Sequence, residues 1–99
     1  MGKGMATRNP DRKATQRIPF AVRMEKANEV VVTGDFTGWA RDGVRLTREK
    51  EGTWRTVLEL PRGEYQYRLL VDGEWRDDPG AARRVPNGFD GCNGILTVE

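Results

Sequence analysis

Two tryptophans carry the chemistry of this chain, each at the end of a turn-rich motif. Trp39 closes Gly34-Asp35-Phe36-Thr37-Gly38-Trp39, and Trp75 closes Val71-Asp72-Gly73-Glu74-Trp75. Indoles beside Gly/Asp turns are poorly placed to fill a core and well placed to present a flat apolar face. A pyranose ring has hydroxyls at its rim and axial C–H groups on its faces. An indole meets those C–H groups with a broad plane of negative π density and has only two side-chain torsions to fix. Between the tryptophans, Glu64-Tyr65-Gln66-Tyr67-Arg68-Leu69-Leu70 carries Arg68 on the strand face opposite the tyrosines. A guanidinium there donates to sugar hydroxyls, and Asn93 in the last loop can both donate and accept. Two indoles spaced across one surface suit adjacent rings of a curved α-1,4-glucan.

Other chemistries are poorly supplied. The 99 residues include no histidine, so imidazole acid–base catalysis and histidine metal sites are excluded. Cys92 is the single cysteine. It cannot form an internal disulfide, which agrees with a reducing cytoplasm, and its neighbours suggest a small hydrophobe entering a strand. Asp77 and Asp78 could serve as a glycosidase pair only in a deep cleft that separates two carboxyl pKa values. The simpler expectation is a pair of solvated loop acids beside Pro79. No catalytic site, metal or cofactor is expected.

Charge divides the chain unevenly. Residues 1–17 hold Lys3, Arg8, Arg12, Lys13 and Arg17 against Asp11, while the other 82 residues are net acidic. The basic segment predicts a solvated, disordered arm over 1–17 followed by one domain over 18–99. A domain without a basic face is not expected to bind nucleic acid. No apolar run reaches the roughly 18 residues that span a bilayer, so no membrane association is expected.

The elements that must hold these residues read as strands. Ile18, Phe20, Val22 and Met24 alternate with polar or small residues, and Pro19 suggests a sheet edge. Val30–Thr33 is a β-branched run. Trp54, Thr56, Leu58 and Leu60 share one face, as do Tyr65, Tyr67, Leu69 and Val71. This assigns Trp54 and both tyrosines to the core, with Phe36 packed under the Trp39 turn. Asp72-Gly73 predicts a tight hairpin, and Ile95–Val98 a terminal strand. Asp77–Gly94, with two prolines and three glycines besides its closing one, reads as the longest irregular region. No segment holds a helical period, so the fold class is all-β: an antiparallel β-sandwich of about seven strands.

Taken together, Gly34–Trp39, Leu60–Arg68, Val71–Trp75, Asp78-Pro79 and Asn93 ahead of Ile95 resemble the family 48 carbohydrate-binding modules. That family includes the glycogen-binding domain of the AMP-activated protein kinase β subunit and the early-set domains of isoamylases and branching enzymes. The resemblance runs from about residue 18 to 99. It implies an immunoglobulin-like, early-set sandwich that binds α-glucans without catalysis. The family's two stacking tryptophans fall on Trp39 and Trp75, a lysine on Arg68, the loop asparagine on Asn93 and an inserting loop leucine on Phe89. A family threonine falls on Gly91, which lacks its hydroxyl. The leading expectation is a cytoplasmic α-glucan-binding module. The alternatives are a protein-interaction module serving a glucan-metabolising enzyme or kinase, and a non-catalytic relic of a hydrolase.

Overall fold

The computed structural model describes residues 14–88 and 91–99. They form two antiparallel sheets, as the all-β expectation requires. β1 (Gln16–Arg23), β4 (Thr47–Arg48) and β5 (Thr53–Leu60) make a three-stranded sheet in the order β1-β5-β4. β2 (Val30–Gly34), β3 (Val44–Arg45), β6 (Gly63–Val71), β8 (Arg84–Pro86) and β9 (Cys92–Val98) run in the order β3-β2-β6-β9-β8, and β7 (Glu74–Arg76) also pairs with β6. β1 begins at Gln16, two residues before the expected start of the domain, and residues 1–13 of the expected arm lie outside the described residues.

Period-two patterning sets which residues meet. Ile18 faces Leu58, Phe20 faces Thr56, and Val22 faces Trp54 across β1 and β5, placing one apolar row on the inner side. Pro19 lies on β1 at the sheet edge, where a residue without an N–H is tolerated. From the facing sheet, Val30, Val32, Tyr67, Leu69 and Val71 complete the core. Trp54 is buried with its indole N–H donating to the Met24 carbonyl at 3.0 Å. Tyr67 meets Phe20 edge-on, ring centroids 5.3 Å apart. Phe36 packs edge-on against Tyr65.

The chain changes sheet between β3 and β4. Leu46 stands between them, 3% exposed, with its N–H bonded to the Val30 carbonyl at 2.9 Å. Two-residue strands are too short to show a period, and with the three-residue β7 and β8 they bring the described residues to nine strands where the sequence pattern predicts about seven. The region expected to be irregular over Asp77–Gly94 also contains structure. β8 pairs with the start of β9, Arg84 opposite Gly94 and Pro86 opposite Cys92. Among the described residues no helix is long and apolar enough to cross a membrane.

β6 is the strand on which the site depends. One edge pairs with β2 from Gly34↔Tyr67 to Val30↔Val71. The other pairs with β9 over Gly63–Tyr67 and with β7 over Leu69–Val71, leaving Arg68 at the break between them. Its inner residues fill the core, and its outer residues Gln66, Arg68 and Leu70 floor the opposite face.

Candidate functional site

The Gly34–Trp39 turn is built around a close backbone approach. A Cβ on Gly34 would lie 2.1 Å from the Gln66 carbonyl oxygen, so only glycine lets β2 end there. Beyond it the Asp35 carboxylate bridges two donors: the Gln66 backbone N–H at 2.8 Å and the Trp39 indole N–H at 3.2 Å. The Thr37 hydroxyl accepts the Gly34 N–H at 3.0 Å and lies 2.6 Å from that of Thr33, which donates to the Ala40 carbonyl. Gly38 and Trp39 both take left-handed backbone, at φ 64° and 61°. For a tryptophan this conformation is strained, and it is held by the Trp39 N–H bond to the Gly34 carbonyl at 3.0 Å. The indole is therefore aimed by its own turn.

Trp75 is delivered by the β6–β7 hairpin. Asp72 and Gly73, at φ 53° and 84°, give the positive pair of a type I′ turn, as the dipeptide predicts. The Asp72 carboxylate accepts the Asn28 and Glu29 N–H groups at 2.9 and 2.8 Å, fixing the hairpin to the loop before β2. Trp75 stands opposite Leu70 on the outer face.

The two indoles lie on one side of the molecule, half-buried, with ring centroids 6.3 Å apart and planes inclined by 48°. Instead of two spaced platforms they form a single angled one. The Arg41 guanidinium carbon sits 6.0 Å from the Trp75 centroid, and Arg41 donates to the Gly73 carbonyl at 2.7 Å.

The polar residues divide. Asn93 lies on the same outer face, its amide donating to Gln66 Oε1 at 2.9 Å. Arg68 also lies on that face but is only 7% exposed, its guanidinium paired with Asp77 at 2.7 Å. It does not project from the surface as its strand parity suggested. Gly91 sits directly against this pair: a Cβ there would be 2.6 Å from Asp77 Oδ1 and 3.0 Å from Arg68 Nη2. Phe89 lies outside the described residues.

Asp77 and Asp78 are not the solvated acids expected of a loop. Asp77 pairs with Arg68 and accepts the Cys92 N–H at 3.3 Å, so it ties β9 to the end of β7. Cys92 itself is half-buried at the first position of β9. Asp78 is 6% exposed and accepts the Tyr67 hydroxyl at 2.5 Å and the Gly80 N–H at 2.8 Å. Burial, and then the bonded carboxylate, push the Tyr67 hydroxyl far above the ordinary tyrosine range. Among the described residues no group of three or more metal-ligating side chains comes together.

Gln66 and Asp35 were not foreseen as parts of this site. Gln66 shares strand parity with Arg68, which was signal enough. Asp35 offered none, because its bond to Gln66 spans 31 residues.

The surface thus offers an angled apolar platform flanked by an interlocked amide pair, over a floor stiffened by a part-buried ion pair. A family model described as "Glycogen recognition site of AMP-activated protein kinase" matches residues 19–99. Relatives include Protein FLOURY ENDOSPERM 6, chloroplastic, of Oryza sativa subsp. japonica, 38% identical over 82 residues, 83% of this chain and 15% of that protein. 5'-AMP-activated protein kinase subunit beta-1 of Sus scrofa is 37% identical over 90 residues, 90% of this chain and 70% of that sequence. The 1,4-alpha-glucan branching enzyme GlgB of Salinibacter ruber is 35% identical over 85 residues, 79% of this chain and 14% of that protein.

Proposed function

This chain belongs to the family of AMP-activated protein kinase glycogen recognition sites, and from that premise we propose that it binds α-linked glucans through Trp39 and Trp75. The family is one of recognition sites, and the protein is a binding module that performs no chemistry on the chain it holds. The observation that carries the proposal is the inclined indole pair on the outer face of the six-stranded sheet. An α-linked chain turns from one glucose to the next. Planes tilted by 48° meet two faces of such a curved chain, whereas a flat β-linked chain calls for coplanar platforms.

The polar flank sets orientation. Asn93 and Gln66 offer donors and acceptors at the ring edge, in either partner of their amide pair. Arg68 acts from beneath, where its pair with Asp77 holds the floor of the site and the start of β9 in register. By the family resemblance, Phe89 is assigned a further apolar contact to the same chain.

Stacking one glucose buries about 100 Å² of apolar surface, roughly half of what an aromatic side chain buries in a core, and yields about 2.5 kcal/mol. Two such contacts, less the cost of association and of ordering a flexible oligosaccharide, give a dissociation constant on the order of tens of micromolar to millimolar. Retention on immobilised glycogen of the wild type, Trp39→Ala and Trp75→Ala tests this. Wild-type retention lost in either variant, with the far-ultraviolet spectrum unchanged, is expected. Retention that survives Trp75→Ala in a folded protein removes the indole platform from the mechanism.

A further inference from the structure

Four outer-face residues stand in one cross-strand row: Arg45 opposite Val31, Val31 opposite Leu70, and Leu70 opposite Trp75. The row leads from the indole platform to a second concavity of about 190 Å³, floored by Val31 and Leu70. Glu29, Arg41, Asp42 and Arg45 rim it. Nothing in the platform described above uses this hollow, yet Arg41 belongs to both. It faces the Trp75 ring, is bonded to the hairpin tip at Gly73, and lines the cavity.

The geometry points to this hollow as an additional sugar subsite, taking one neutral hexopyranose unit of a glucan whose neighbouring units lie on the indoles. The inference rests on the proposed glucan-binding function and extends it beyond the two tryptophans. Size, composition and charge each support it. An apolar cavity of about 150 Å³ holds a benzene ring, so a hollow of about 190 Å³ takes a pyranose with its substituents toward the mouth. Val31 and Leu70, 6% and 3% exposed, give the hollow a narrow apolar base, and its rim of carboxylates and guanidinia answers the hydroxylated edge of a ring: carboxylates accept from hydroxyls, and guanidinia donate to them. The rim holds two acids and two bases, with Arg45 and Glu29 paired at 2.7 Å, so its charge is balanced and favours a neutral sugar over an anionic one.

The test is calorimetric titration with the maltooligosaccharides from maltotriose to maltoheptaose. The wild type is compared with the double variant Asp42→Ala/Arg45→Ala, with Trp75→Ala, and with Arg55→Ala on the opposite sheet as a control. One added glucose should raise wild-type affinity about threefold to tenfold, the effect of one or two net hydrogen bonds. That step should vanish in the double variant and persist in Arg55→Ala. If the double variant keeps the step while melting cooperatively, the subsite is refuted and the indole platform stands. If the wild type binds no oligosaccharide, the platform and the subsite fall together. Should the double variant not fold, Asp42→Asn takes its place: a diminished step supports the subsite, and an unchanged one refutes it.

Discussion

Replacing Tyr67 with Phe removes one oxygen from the inner side of β6 and, with it, the donor that holds Asp78. Tyr67 is 4% exposed and Asp78 6%, and their hydrogen bond is 2.5 Å long. A hydrogen bond to a charged group contributes about 1.5–3 kcal/mol, so Tyr67→Phe should lower unfolding free energy by about 2 kcal/mol at pH 7. The difference should also depend on pH in a defined direction. The folded Tyr67 hydroxyl is held far above its ordinary value by burial and by Asp78, while in the unfolded chain it ionises near pH 10. Above that point the unfolded state has shed a proton that the folded state keeps, so the native state loses stability by about 1.4 kcal/mol per pH unit. Phenylalanine has no proton to lose. The advantage of the wild type over Tyr67→Phe should therefore be constant from pH 7 to about 9 and shrink to below 1 kcal/mol near pH 11. Urea unfolding of both proteins at matched pH measures it, and the subtraction cancels the other titrating groups. A gap that stays level through pH 11 would show that Tyr67 ionises equally in both states and would refute the buried pair as described.

Substitutions at three further positions probe the turns and the glycines. Asp35→Ala removes the carboxylate shared by the Trp39 indole and the Gln66 N–H; it should cost about 1 kcal/mol of stability in thermal melts and weaken glucan retention, with Asp35→Asn restoring part of both, and equal retention for all three proteins would dismiss the tether. Gly94→Ala and Gly38→Ala separate two uses of glycine. The first sets a Cβ 2.6 Å from the Tyr67 ring, and should cost about 2–3 kcal/mol through overpacking. The second meets nothing within 4 Å and suffers only its positive φ, costing about 1–2 kcal/mol. Denaturant midpoints in the reverse order would contradict both assignments.

What the sequence disclosed follows from where period-two patterning applies. β1, β5 and β6 each have eight or nine residues, one inner row in the core and, on Pro19, an edge marker, so their faces and pairing could be read directly. Asp72-Gly73 was readable because few residue pairs tolerate the backbone it adopts. The β8–β9 pairing was hidden by its glycines. Gly91 and Gly94 read as punctuation of a loop, yet they serve contact: one lies against the Arg68–Asp77 pair and the other against the Tyr67 ring. Asp77 and Asp78 failed for a related reason, since a carboxylate next to proline carries no local sign that a tyrosine or arginine from β6 will cover it. Parity placed Arg68 on the correct face. It did not foresee that this face is itself covered, because the chain that does so lies 9 to 23 residues away in sequence, at Asp77 and Gly91.

The double use of β6 explains how a small domain can hold a half-buried aromatic surface without losing it to the core. Tyr67, Leu69 and Val71 are fixed from one side by the aliphatic and aromatic side chains of the opposite sheet. Gln66, Arg68 and Leu70, alternating with them, inherit that rigidity on the other. The indoles attach to this frame through turns whose backbones are themselves pinned, Trp39 by Gly34 and Asp35, and the Trp75 hairpin by Asp72 and Arg41. Half-buried rings set in this way have less rotamer freedom left to lose when a ligand arrives, which matters most when each contact contributes only a few kcal/mol. A site built on free loops would have to order itself with each binding event. Here the ordering belongs to the folding of the sandwich, and the angle between the two rings is set before any ligand arrives.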